Sequence, residues 1–520
     1  MNPKHLSLLL LAAFLATHET TAQSGRQVPK LVVLLTVDQL RSDYLEAFSP
    51  LYGEDGLKKM LKEGRVYTNV SYPFSPVDRA SAVAAIHSGT TPYYNGITGE
   101  RWFNRKTLRP MTCIDGEPTI PRQLSPSNLC VSTLGDELKV STDGKAVVYA
   151  IAPSADAAIL SAGHAANGAL WIDDATGRWT TSSYYKSAGS TWISAINSVL
   201  SPAASADKLT WEAINPLTAN FSYFLSGGMQ KPFRHTFTGM SRFRDFKTSG
   251  LINEHITEAS LQCIPATGMG VDAIPDLLSI TYFAGNFMGR SSSACRMEIQ
   301  DTYVRLDRTI AHLISEIEQR VGAGNTLFLL TSTGHCQEEC TDYSAYGVPG
   351  GTLSITRTAN LLNMYLGALW GMGNYVEATF GAQLFLNHQL LEQKKVVLTE
   401  AMQRSREFLS QLSGITNVYS AQQLLNEMQE QTMKIRNGFH PTHNGDIIIE
   451  VAPGWNLVNE DTQEQHTSRL SFIAFPLIIY GPDIRPERVA SPVSVVRIAP
   501  TLTKCLRIRA PNGCKEEPLF

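Results

Sequence analysis

Residues 31–41, LVVLLTVDQLR, run apolar and β-branched until the chain turns acidic at Asp38. An apolar run without polar alternation fits a strand covered on both faces, and in open α/β sheets ligands gather outside the carboxyl ends of such strands. Asp38 is therefore a site candidate, although an aspartate capping the next helix would look the same. Residues 146–152 (AVVYAIA), 277–282 (LLSITY), 325–331 (NTLFLLT), 446–451 (DIIIEV) and 476–480 (PLIIY) repeat the strand pattern, and the last two are expected to close the sheet. Helical spacing lies between them. Residues 55–63 are amphipathic and stopped by Gly64, residues 301–320 put Leu306, Ile310, Leu313, Ile314 and Ile317 on one face, and a last helix starts in 497–506. A loop at 73–79 leads into the small-residue stretch 80–86, a helix start able to cradle an anion. Strands alternating with helices predict a doubly wound α/β core.

Two stretches break this rhythm. Residues 171–243 are dense in Trp, Tyr, Ser and Thr with weak helical periodicity, which predicts an inserted cap lobe whose core holds most of Trp171, Trp179, Tyr184, Tyr185, Trp192 and Trp211. Residues 347–439 read as a mainly helical insertion. The core is then assigned to residues 23–170, 244–346 and 440–520.

Length, composition and charge narrow the class. The chain has 520 residues, 43% of them hydrophobic and 18% charged, as suits a large globular core. A net charge of -3 gives no reason to expect nucleic acid or an anionic membrane as partner. Residues 1–22 place a lysine, an apolar segment and small residues in the order of a cleaved secretory signal, too short to span a bilayer, so the protein is expected to be exported, periplasmic or secreted. The 8 cysteines suit an oxidising compartment, with Cys113–Cys130 and Cys505–Cys514 the preferred local pairs. Cys336 and Cys340 beside His335 lack a second ligand pair, so a disulfide or free thiols is the reading ahead of a metal site.

The blocks LLTVDQLRSDYL (34–45), SGTTPYYNGITGERW (88–102), AILSAGHAANGALWID (158–173), EIQDTYVRLDR (298–308), GNTLFLLTSTGH (324–335), GDIIIEVAPGW (445–455) and QHTS (465–468) follow in an order that resembles the alkaline phosphatase superfamily. The likeness is strongest to its periplasmic, phosphate-irrepressible branch, related to nucleotide pyrophosphatases/phosphodiesterases. It implies a mostly parallel sheet between helical layers with an inserted cap. It also implies two zinc ions that activate a threonine or serine and clamp a phosphoryl group.

Carried over by position, the family's ligands survive only as Asp38 and His466. The other ligand positions hold Asn286, Arg290, Thr333 and Gly334, with His335 one residue out of register. The nucleophile position falls on Arg79, with Ser75 or Ser81 available only after a register shift, and the remaining phosphate-contacting positions hold Glu100, Ser154 and Asp156. An amide is a poor zinc ligand, and a guanidinium has no lone pair to offer. Loss of metals alone would strand buried negative charge. The changes run the other way, so Arg79 or Arg290 is expected to pair with Asp38 in place of zinc, with Arg79, Arg290 and His335 lining the cleft. His164, in a Gly/Ala-rich loop, reads as structural, and His335, His443 and His466 either bond backbone or face the pocket.

Two functions stay open. One is an exported pseudophosphatase without cofactor that binds an anionic small ligand or an envelope protein. The alternative is an active alkaline phosphatase or phosphodiesterase with an atypical zinc site.

Overall fold

The computed structural model describes residues 27–116, 123–185, 190–204, 209–214, 232–336, 346–426, 429–460, 465–467 and 473–520, with backbone alone for 465–467 and for residue 431. The expected signal at 1–22 lies outside the described residues, as does Cys340.

A nine-stranded sheet organises the core. In chain order its strands are β1 (Leu31–Asp38), β2 (Arg65–Tyr67), β3 (Val148–Ala152), β4 (Gly168–Ile172), β5 (Trp179–Thr180), β6 (Asp276–Phe283), β7 (Thr326–Ser332), β8 (Leu477–Tyr480) and β9 (Glu487–Val489). They lie in the order β9-β2-β8-β7-β1-β6-β3-β4-β5. The run β7-β1-β6-β3-β4 is parallel, while β8 and β5 join antiparallel at its two sides. Asp38 stands in register with Phe283, and Val37 with Ser332, so these strands end at one level.

Strand β1 is buried along its whole length because both faces are covered. Leu31, Val33, Leu35 and Val37 join a core with Ile310, Leu313 and Ile317 of one long helix (Arg296–Val321) and Ile252 and Ile256 of another (Ile252–Thr267). Val32 and Leu34 join the opposite core, with the alanines of α1 (Arg79–Ser88) and α2 (Ala155–Ala162). Side chains alternate across a strand, so a two-sided core needs an unbroken apolar run. Among the described residues no helix is long and apolar enough to cross a membrane.

The two insertions differ from the sequence reading. DIIIEV does not close the central sheet. Its strand, Ile447–Val451, belongs to a separate four-stranded sheet with Val376–Phe380, Gln383–Leu386 and Ile415–Ser420. Ile448 and Glu450 are only half buried, the mark of a strand covered on one face. Residues 347–439 are thus a mixed lobe, in which the helices Ile355–Trp370 and Leu398–Leu409 pack on that sheet. At the other insertion, Trp171 and Trp179 lie in β4 and β5, so the central sheet runs on past residue 170. Trp211 is buried further out in a hairpin, its indole N–H donating to Asp301 Oδ2 at 2.6 Å. Neither local pair, Cys113–Cys130 or Cys505–Cys514, is joined in a disulfide.

Candidate functional site

Two helix starts and one strand end meet beside Asp38. Asp78 caps α1 by accepting from Ser81 N at 2.9 Å, and its backbone N–H returns a bond to Ser81 Oγ at 3.0 Å. The other oxygen of Asp78 accepts from Glu100 N at 2.6 Å. One carboxylate therefore fixes both the first residue of α1, Arg79, and the position of Glu100. Asp156 stands in the first turn of α2, where the helix dipole favours a negative charge.

Arg79 is the centre of the arrangement. Its Nε lies 2.8 Å from Asp156 Oδ2, its Nη2 lies 2.9 Å from Glu100 Oε1, and its Nη1 lies 3.5 Å from Asp38 Oδ2. Burial works against the guanidinium charge, but Asp156, Glu100 and Asp38 outweigh it and hold Arg79 firmly protonated. Burial pushes the Asp156 carboxyl up, and the charge and hydrogen bonds of Arg79 pull it further down, below its usual value. Glu100 goes the other way. Burial, with Asp156, Asp78 and Asp38 nearby, pushes it up to about 8 against the pull of Arg79.

The second oxygen of Asp38 is taken as well. Thr333 Oγ1 donates to Asp38 Oδ1 at 2.9 Å and accepts from Gln39 N at 2.9 Å, which uses the hydroxyl in both senses. His335 Nε2 lies 3.8 Å from the same carboxylate oxygen. Asp38 itself is 2% exposed, so these neighbours, not water, set its environment.

The other positions carried over from the sequence fall outside this cluster. Arg290 is the main correction. It is exposed, stacks over the Phe287 ring at 5.5 Å, and does not line the cleft, so the cation beside Asp38 is Arg79. Asn286 closes its own loop, donating to Arg290 O at 2.9 Å and Ser292 Oγ at 3.1 Å. Gly334 has φ +65, and a methyl group there would come within 2.5 Å of Tyr72 Cε2 and 2.7 Å of Phe475 Cε1. No ligand side chain fits at that position. His466 pairs through its backbone with Leu457, and its side chain is outside the described residues. His164 braces a loop, its ring nitrogens each 3.0 Å from Asp136 Oδ2 and Leu129 O. His443 stacks on Trp102 and bonds Gly96 O at 2.7 Å, away from the cleft lining.

Above the cluster opens a cleft of about 470 Å³, walled by Trp171, Ile114 and Phe283 and lined also by Ser154. Arg101, Arg244, Lys247, Asp173 and Asp174 stand along it, none singled out from the sequence. The acidic pair directly after β4 was the available signal for this wall, because it too follows a parallel strand end. Cys113 also lines the cleft, but burial first, then Asp156, Asp78 and Glu100, push its thiol far up and leave it neutral.

These residues do not fit a pair of zinc ions. The lone pairs of Asp38 face a guanidinium and a hydroxyl donor, positions 286 and 290 turn away, and 334 has no room for a ligand. Among the described residues no three His, Cys, Asp or Glu side chains stand together as a ligand set. Ser81 is fully buried in the α1 cap, its hydroxyl donating to Asp78 Oδ1 at 2.7 Å, and it does not line the cleft, so it is not placed to attack a ligand there.

A family model for type I phosphodiesterase/nucleotide pyrophosphatase matches residues 32–471. Alkaline phosphatase PafA of Elizabethkingia meningoseptica is 27% identical over 545 residues, covering 100% of this chain and 99% of that protein. Alkaline phosphatase PhoV of Synechococcus elongatus is 26% identical over 512 residues, 93% of this chain and 91% of that protein. The crystal structure of wild-type PafA superposes with a TM-score of 0.79 at 26% identity, covering 94% of this chain and 98% of that one. The chain belongs to the type I phosphodiesterase/nucleotide pyrophosphatase family, on the alkaline-phosphatase fold that these phosphoric ester hydrolases share.

Proposed function

We propose that this chain is an exported member of the family that has given up two-zinc ester hydrolysis and keeps the cleft for binding. The observation that carries the reading is Arg79, a fixed cation 2.8, 2.9 and 3.5 Å from the carboxylates of Asp156, Glu100 and Asp38. A guanidinium compensates these carboxylates without binding a metal, and it cannot serve as a nucleophile. The cations Arg101 and Arg244 at the cleft wall support an anionic small molecule as the ligand, while Lys247 is paired with Asp174 of the same wall. The sequence order of residues 1–22 supports export.

The test is metal analysis of the purified full chain together with p-nitrophenyl phosphate turnover in added zinc. The expected result is less than stoichiometric zinc and no turnover above buffer. Stoichiometric zinc with turnover that Asp38→Ala abolishes would overturn the reading in favour of an active hydrolase with an atypical metal site.

A further inference from the structure

The C-terminal tail packs against the loop that enters the helix Leu134–Ser141, and each of the two segments carries a cysteine beside the contact. Arg509 pairs with Glu137. Nearer the end, Ser132 N donates to Asn512 Oδ1 and Asn512 N donates to Ser132 Oγ, both at 2.9 Å. One residue on, a methyl group at Gly513 would stand 2.8 Å from Val131 Cγ1. Cys130 and Cys514 flank this contact, Cys514 closing a turn in which its N–H donates to Pro511 O at 2.9 Å. Flanking contacts agree, since Cys130 N donates to Asn95 O at 2.9 Å while Lys515 Nζ lies 4.5 Å from the centre of the Tyr94 ring.

The geometry points to a disulfide between Cys130 and Cys514 that staples the C-terminal tail to the body of the protein. Val131 and Gly513, the immediate neighbours of the two cysteines, are in contact, and a disulfide asks the cysteine Cβ atoms to come to roughly 3.5–4.5 Å of each other. Both residues are thiols in the structure, lying against the carbonyls of Asn128 at 3.6 Å and Glu516 at 3.8 Å. Those are weak sulfur contacts that rotation about one bond releases. Cys130 is exposed and is the entry point. Its thiolate attacks a disulfide oxidant, such as oxidised glutathione, and expels one thiol. The Cys514 thiolate then attacks the Cys130 sulfur of the mixed disulfide and expels the second thiol. Two protons leave the cysteines, and their two electrons reduce the oxidant.

The local pairs do not compete. Cys113 is fully buried and lines the cleft. Cys514 sits where a methyl at Gly89 would be 2.9 Å from its sulfur and 3.1 Å from Ala499 Cβ. Cys505 lies six residues beyond Ala499 on the same helix, about 9 Å along its axis. The same sulfurs lie against the turn between α1 and Glu100, because a methyl at Gly96 would stand 2.8 Å from Cys130 Sγ. The staple therefore covers the connection between Arg79 and Glu100.

The experiment equilibrates the full chain in a glutathione buffer, traps free thiols by alkylation and maps peptides without reductant. The expected result is one cross-linked peptide pair containing Cys130 and Cys514, lost on reduction, with Tm higher by several degrees in the oxidised protein. Cys130→Ser and Cys514→Ser each remove that redox dependence of Tm, while Cys505→Ser leaves it intact. Cysteines 130 and 514 both remaining alkylatable in oxidised glutathione, or a cross-link of either to Cys113 or Cys505, would overturn the assignment.

Discussion

Replacing Arg79 by methionine keeps most of the side-chain length and removes the cation shared by Asp38, Glu100 and Asp156. At an effective dielectric near 20, unit charges about 4 Å apart attract by roughly 4 kcal/mol. Two pairs of that kind form here, with Asp38 at 3% side-chain exposure and Asp156 at 12%. The third partner, Glu100, is 42% exposed. Its share is discounted to about 0–1 kcal/mol, as for a surface pair. Desolvation of the guanidinium offsets part of the attraction, and breaking a buried pair from one side costs about 3–5 kcal/mol net. Spread over the unfolding entropy of a chain this long, about 2.1 cal/mol/K per residue, that is a fall in Tm of roughly 3–5 °C at pH 7. The sign with pH follows from Asp156, whose carboxyl burial raises and Arg79 lowers further, to a net value below normal. Such a group adds stability above its unfolded value near 3.9 and loses it as pH falls through the folded value. The gap between wild type and Arg79→Met is therefore full at neutral pH and closes in acid, below about pH 4. Paired thermal melts from pH 7.5 to about pH 2 check this. Equal stability at neutral pH, or a gap that stays constant into acid, would refute the reasoning.

Two more perturbations probe the surroundings. Thr333→Val removes the hydroxyl that joins Asp38 Oδ1 to Gln39 N, and it should cost about 2–3 kcal/mol in urea unfolding while Thr333→Ser costs much less. His87, 1% exposed, has neither ring nitrogen hydrogen-bonded among the described residues, and burial pushes its pKa down to about 4. Wild-type protein therefore loses stability as pH falls from the unfolded value near 6.5 through 4, and His87→Leu should match it near pH 7.5 but exceed it by about 2–3 kcal/mol at pH 4.

The parts of the fold that the sequence made legible are those whose burial leaves a local mark. Strand β1 is apolar on both faces and reads as such, and Asp38 at its end is where the parallel strands finish together. The Ile447–Val451 strand misled because three consecutive isoleucines outweigh the half-exposed Glu450, and only the pairing partners tell which sheet it joins. Arg79 and Arg290 were equal candidates by charge. What separates them is the turn at Phe287–Gly289, where Met288 takes φ 52 and carries the chain outward, leaving Arg290 over Phe287. Glu100 and Asp156 were picked out by position, but that both close on one guanidinium depends on how α1 meets α2, and spacing along the chain does not carry that.

The charge inventory of the cleft bears on what it holds. One guanidinium serves Asp38, Asp156 and Glu100, where two divalent ions would leave the floor positive. Burial and the neighbouring carboxylates raise Glu100 to about 8 against the pull of Arg79, so the negative charge facing Arg79 rests mainly on the two more deeply buried partners, Asp38 and Asp156. A phosphate ester seated against Asp38 would meet that negative field instead of a pair of cations. Arg101 and Arg244, both exposed, lie instead along the lining of the cleft, beside the aromatic wall of Trp171 and Phe283. Under the binding reading, an anionic group is held by these arginines with the rest of the ligand against the rings.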